Sequence, residues 1–151
     1  MSKTLVVIHF LKADVAFAPK QKNILRQWMT KVAKKHQCHI DQLDFIFCSD
    51  AYLLSINQQF LAHDTFTDII TFDYSVQSKV AKKAISGEIY ISIERVKENA
   101  KTFKTSYENE LQRVMIHGVL HLCGFKDKKA PEQAEMRKQE DNALKLLERV
   151  S

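Results

Sequence analysis

Two histidines four residues apart, His117 and His121, lie in the stretch 114–127, which reads VMIHGVLHLCGFKD. On an α-helix four residues turn through ~400°, so both imidazoles leave one face, separated by about 6 Å of rise. That reach lets two ring nitrogens bind one metal ion. Gly124 follows where the left-handed residue that ends many helices would stand. Beyond it the chain can turn back and bring the Asp127 carboxylate to the same ion. Two nitrogens and one oxygen, with a fourth position open, is the coordination of a catalytic zinc rather than of a closed structural one.

The spacing is that of the zincin motif H-E-x-x-H-x-x-G-x-x-H with two substitutions. Gly118 stands where the general-base Glu belongs, and Asp127 where the third His belongs. A glycine inside a helix costs roughly 1 kcal/mol against alanine, so a strand or a substrate is expected to approach the backbone at Gly118. The surrounding helix is apolar, with Leu111, Val114, Met115, Ile116, Val119, Leu120 and Leu122, and should be buried. A satisfied core histidine is the plain alternative for one such residue. It does not account for two at helical spacing followed by a glycine and a carboxylate, because buried imidazoles without partners are costly.

Two neutral imidazoles and one carboxylate leave a divalent ion at a net single positive charge, so water on it would be less acidic than in a three-histidine site. The carboxylate also hardens the ligand set and brings Mn²⁺ or Fe²⁺ nearer to Zn²⁺ as alternatives. A hydrolytic ion lowers the pKa of its water and polarises a phosphoryl oxygen. With Gly118 in place of Glu the motif supplies no general base, so no catalytic side chain is assigned beyond the three ligands.

The elements that must position these residues follow from periodicity and punctuation. Residues 4–10 (TLVVIHF) are β-branched and apolar and read as a first strand rather than a signal peptide. Pro19 suits a helix first turn, with Ile24, Leu25, Trp28 and Val32 at helical spacing to about His36. Residues 43–48 (LDFIFC) form a second strand, and Ser49 or Asp50 caps a short helix through Phe60. A polar loop, 62–67, leads to a third strand at 69–73, and 75–86 reads as an exposed lysine-rich connection. Residues 87–93 (GEIYISI) alternate as a fourth strand, and Ile93, Val96, Ala100 and Phe103 make one stripe of the next helix. Thr105 and Glu108 fit a capping box that opens the histidine helix, and Pro131 begins a last helix with Met136, Ala143 and Leu147 inward. Without repeats or linkers, residues 1–151 are expected to form one α+β domain, about four strands of mixed sheet packed by about five helices.

A chain of 151 residues can bury a core without disulfides. Cys38, Cys48 and Cys123 form no CxxC pair, which suits reduced thiols and a cytoplasmic protein, and Cys123 lies off the histidine face, where packing is its expected role. No run approaches the length of a transmembrane helix, so no membrane partner is expected. The net charge of +5 and the pI near 9.1 come from basic clusters at 20–35, 79–83, 95–104 and 126–129. Such a surface attracts phosphate backbones, and it is equally the composition of solvated helix faces.

HGVLHLCGFKD resembles the H-G-x-L-H-L-x-G-[YF]-D-H signature of the YbeY family of metal-dependent endoribonucleases. Upstream, Asn57, Phe60 and Thr67 to Phe72 (TDIITF) resemble that family's N-x-x-Y-R…T-D-V-L-S-F segment, and GEIYISI its G-D-I-x-I-S strand. Glu132, Met136 and Glu140 echo its C-terminal E…M…E pattern. The resemblance implies a zincin-like fold and one Zn²⁺ held by His117, His121 and, at the third-histidine position, Asp127. It implies cleavage of single-stranded RNA, in maturation of the 16S rRNA 3′ end and ribosome quality control, with the small ribosomal subunit as partner and no DNA substrate. Three positions depart from the pattern: Asp127, Lys126 in place of the preceding Asp, and Leu61 at the position of a family arginine. A metallopeptidase shares the zincin spacing but lacks its Glu here, and a ribosome-associated binding factor with a structural metal is favoured by Leu61.

If the basic surface works through phosphates, RNA affinity falls steeply as salt rises, because each neutralised phosphate releases counterions. Fluorescence anisotropy with a single-stranded RNA at low and at physiological salt checks this. An unchanged affinity counts against nucleic acid as the substrate.

Overall fold

The computed structural model describes residues 7–61, 67–75 and 83–150, with the Leu61 side chain outside the described set. Its strands are β1 (Ile8–Lys12), β2 (Cys38–Cys48), β3 (Ile69–Asp73) and β4 (Lys83–Ser92). Its helices are α1 (Lys22–Lys35), α2 (Asp50–Leu61), α3 (Ile93–Thr102), α4 (Tyr107–Leu122) and α5 (Ala130–Val150). The strands form one mixed sheet in the order β1-β2-β4-β3. β1 and β4 run parallel to β2, and β3 runs antiparallel to β4 along the edge.

Period-two alternation divides the sheet into two faces. Ile85, Ile89 and Ile91 of β4 join Phe45 and Phe47 of β2 in the main core, with Trp28 of α1, Met115 and Val119 of α4, and Met136 and Leu147 of α5. On the opposite face Ile70 joins Cys48, Leu53 and Ile56 beneath α2, with Phe72 and Tyr90 packed against them. Trp28 donates its indole N–H to the Ala143 carbonyl at 2.7 Å inside the core, tying α1 to α5. Among the described residues no helix is long and apolar enough to cross a membrane.

The expected element order is present, with several boundaries moved. β1 ends at Lys12, and residues 4–6 of the expected strand lie outside the described residues. β2 begins at Cys38, well before residue 43, because its polar first half pairs with β4 from Cys38↔Lys83 onward. The same pairing draws Lys83 to Ser86 out of the expected connection and into β4; residues 62–66 and 76–82 lie outside the described residues. Pro19 precedes α1, which starts after Gln21 in a left-handed conformation (φ 58°). The Ser49 hydroxyl accepts from the Tyr52 amide at 3.1 Å and so caps α2. α4 is capped by Ser106, whose hydroxyl accepts from the Asn109 amide at 3.0 Å, so the Thr105–Glu108 box does not form. Phe103 follows the end of α3 and is 59% exposed instead of buried.

The glycine inside α4 is explained by a strand. A Cβ on Gly118 would lie 2.7 Å from Ile89 Cδ1, 3.1 Å from its Cγ2 and 3.2 Å from Ile69 Cδ1. Ile89 is fully buried, so its Cδ1 can move aside only by displacing other atoms of a close-packed core. Gly118→Ala is therefore expected to destabilise the fold by about 1–2 kcal/mol, overpacking outweighing the gain in helix propensity. Ile89→Val removes the nearest carbon. Denaturant melts of the two single variants and the double variant should show the double less destabilised than the sum of the singles.

Candidate metal centre

Once Gly118 faces the sheet, helical geometry fixes where its neighbours point. Positions 110, 117 and 121 then lie ~60–100° round the helix from Gly118, on one stripe beside the sheet edge. The rings of His117 and His121 pack edge to face, with centroids 4.6 Å apart and planes at 80°. After α4 the chain turns through Gly124 at φ 110°. The Phe125 amide bonds the Leu120 carbonyl and the Gly124 amide the His121 carbonyl, each at 3.0 Å, which is the Schellman ending.

That turn returns Asp127 to the histidines. Its Oδ2 lies 3.2 Å from Nε2 of His117 and 3.2 Å from Nε2 of His121. One ligand atom from each residue falls within 4.8 Å of the others, a group able to hold a metal ion. Donors about 2.0–2.1 Å from a tetrahedral zinc stand roughly 3.3 Å from one another, so both histidine–carboxylate separations fit such an ion. Leu61 closes α2, and its side chain lies outside the described residues.

Behind this cluster stands the last residue of the C-terminal E…M…E pattern, carried by a distant helix. Glu140 of α5 is buried, and its Oε2 lies 2.6 Å from His117 Nδ1. Its other oxygen accepts from Arg113 at 2.9 Å, and Arg113 donates its second nitrogen to Asp141 at 2.7 Å. A carboxylate beside Nδ1 calls for the proton on that atom, which leaves the Nε2 lone pair facing Asp127. Burial by itself would lower the His117 pKa. The Glu140 hydrogen bond and charge, with Asp127 and Asp68, raise it overall, so binding of an ion here competes with a proton. The sequence signals for Glu140 were its place in the C-terminal E…M…E pattern and a charge on the apolar stripe of Met136, Ala143 and Leu147.

These groups open into a cleft of about 910 Å³ whose walls include Thr71, Glu110, Arg113, Lys128 and Arg137. Asp68 also lines it and receives the Asn99 amide at 3.3 Å; burial holds its carboxyl above the usual range. Of the basic clusters, 126–129 borders the cleft through Lys128. Arg95 is instead held by Asp50 at 2.6 Å, and Lys20 pairs with Glu108 at 3.8 Å. Cys38, Cys48 and Cys123 are free, and Cys123 packs against the main core.

A family model described as Endoribonuclease YbeY matches residues 8–148. The Endoribonuclease YbeY of Flavobacterium psychrophilum is 48% identical over 134 residues, covering 89% of this chain and 92% of that protein. Its namesake from Cytophaga hutchinsonii is 47% identical over 139 residues, covering 92% and 94%. The solution structure of a protein from Thermotoga maritima superposes with a TM-score of 0.60 at 30% identity, covering 93% of this chain and 88% of that one.

Removing the carboxylate behind His117 tests its part in the site. Glu140→Gln is expected to weaken zinc binding about 10- to 100-fold, because the tautomer and orientation of His117 are no longer held. Competition with a chromophoric chelator measures the affinity. Unaltered zinc affinity in a folded variant would reduce Glu140 to a packing contact.

Proposed function

The chain belongs to the endoribonuclease YbeY family, and from that premise we propose that it is a zinc-dependent hydrolase of single-stranded RNA working as one domain. In this reading His117, His121 and Asp127 hold one Zn²⁺ per chain, and it acts in the cytoplasm on the 3′ end of 16S rRNA and in quality control of the small ribosomal subunit. The observation that carries the reading is the convergence of two imidazole nitrogens and one carboxylate oxygen in an open cleft. Bound there, the ion would supply Lewis-acid polarisation of a phosphodiester and activation of water.

The chain's own residues supply placement. Glu140 and Arg113 hold the His117 ring in position, and Gly124 sets the turn that aims Asp127. Lys128 and Arg137 line the cleft and can receive backbone phosphates. A metallopeptidase reading loses support from Gly118. The position where zincins carry their base here points into Ile89 and Ile69 of the sheet, with no room for a side chain.

Elemental analysis of the purified chain, with cleavage assays on single-stranded RNA, duplex RNA and casein, each with and without chelator, tests the proposal. Expected are one zinc per chain, chelator-sensitive cutting of the single strand, and intact casein. Asp127→Ala should keep the fold and lose most of the metal, whereas Asp127→His should retain it. RNA cutting that survives complete metal removal would overturn the reading. Binding to small subunits without any cutting would favour a binding factor.

A further inference from the structure

Glu110 stands two turns before His117 on the same stripe of α4, about 10 Å away by helix rise. It is 5% exposed and lines the cleft, yet among the described residues no hydrogen bond or ion pair reaches its carboxylate. The charged groups facing it are Asp68, Arg113, Arg137 and Glu140; burial first, then the charge of Asp68, lifts its pKa above the usual range. Its oxygens are not sealed from solvent and stand open to donors from the cleft. Helical side chains lean toward the helix N-terminus, so Glu110 leans away from the metal end and cannot serve as the base the motif lacks.

Phe103 supplies the second observation. It closes α3, is 59% exposed and lines the same cleft. The two are linked through the cleft wall: the Phe103 amide bonds the Asn99 carbonyl, and the Asn99 side chain bonds Asp68, which faces Glu110. An exposed ring and an acceptor-only carboxylate lining one cleft match a flat molecule with N–H donors on its edge. A phosphate, by contrast, is repelled by the carboxylate. Among the nucleobases, guanine presents two adjacent donors, N1–H and N2–H.

We propose that Phe103 and Glu110 form a base subsite: Phe103 stacks on an unpaired guanine, and Glu110 accepts both N–H groups of its Watson–Crick edge. The guanine belongs to a nucleotide neighbouring the phosphate held at the metal end, with Arg137 placed to meet the intervening backbone. This assignment rests on the RNA reading above.

Zinc-loaded protein is titrated into labelled 2′-O-methyl UUGUU and UUUUU, followed by anisotropy, with cleavage of ordinary RNA scored separately. The parent is expected to bind the guanine-containing strand about tenfold more tightly, as a bidentate base contact provides. Glu110→Gln should abolish that ratio while leaving zinc content unchanged, and it should melt at the parent's temperature or above, because it removes a buried charge. Phe103→Ala should weaken both strands roughly tenfold, since stacking tolerates any base. No guanine preference in the parent, or the same preference in Glu110→Gln, overturns the subsite. So does a Glu110→Gln variant that melts well below the parent, which would make Glu110 a structural group. Guanine-selective binding by a chain that cuts no RNA counts against the nuclease reading and leaves the subsite standing. Chelator-sensitive cutting with an unaltered base profile does the reverse.

Discussion

Everything in the cleft depends on how closely α4 lies on β3 and β4. With hydrogen alone at position 118, the helix backbone settles against Ile89 and Ile69, and that contact fixes its rotation about its own axis. A close-packed interior resists small changes of volume, so the rotation is held tightly. The stripe carrying Glu110, His117 and His121 is thereby turned away from the sheet and into the space between β3 and α5. Gly87 contributes to the same approach: a Cβ there would meet the Phe72 carbonyl at 2.6 Å and the Leu122 side chain at 3.0 Å.

Three of the acidic side chains on the cleft wall are each treated differently by the structure. Glu140 receives an arginine and a histidine, Asp68 receives one amide, and Glu110 receives no donor among the described residues. The degree of satisfaction separates roles: a fully partnered carboxylate orients its neighbours, while an unpartnered one is available to a ligand. It also shows why overall charge is a poor guide to the site. The chain is basic as a whole, yet this cleft carries five carboxylates against three cations, Arg113, Lys128 and Arg137, along its walls.

The cluster of His117, His121 and Asp127 could be read from sequence because its geometry is local. Helical spacing brings His117 and His121 together, and one left-handed glycine returns Asp127 within a single turn. The four strands and five helices were legible for the same reason, from periodicity within each segment. What escaped depends on distant partners. The first half of β2 is polar and becomes a strand only through its pairing with β4. The capping site moved from Thr105 to Ser106 because two adjacent hydroxyls offer alternatives that packing alone decides between. Phe103 follows the helical stripe in sequence, but α3 ends one residue earlier and releases the ring into the cleft. Glu140 sits in a different helix from the histidine it touches, and only its place on an apolar face hinted at burial.

The indole–carbonyl bond between Trp28 and Ala143 joins the first helix of the fold to the last. α5 also carries Glu140, and it leaves the exit tunnel after every other element. A single domain generally folds as a unit, and α5 supplies Met136, Ala143 and Leu147 to the main core. Glu140 therefore reaches His117 in the same step that lays α5 against α1, and the ring is oriented only in a chain whose core has closed.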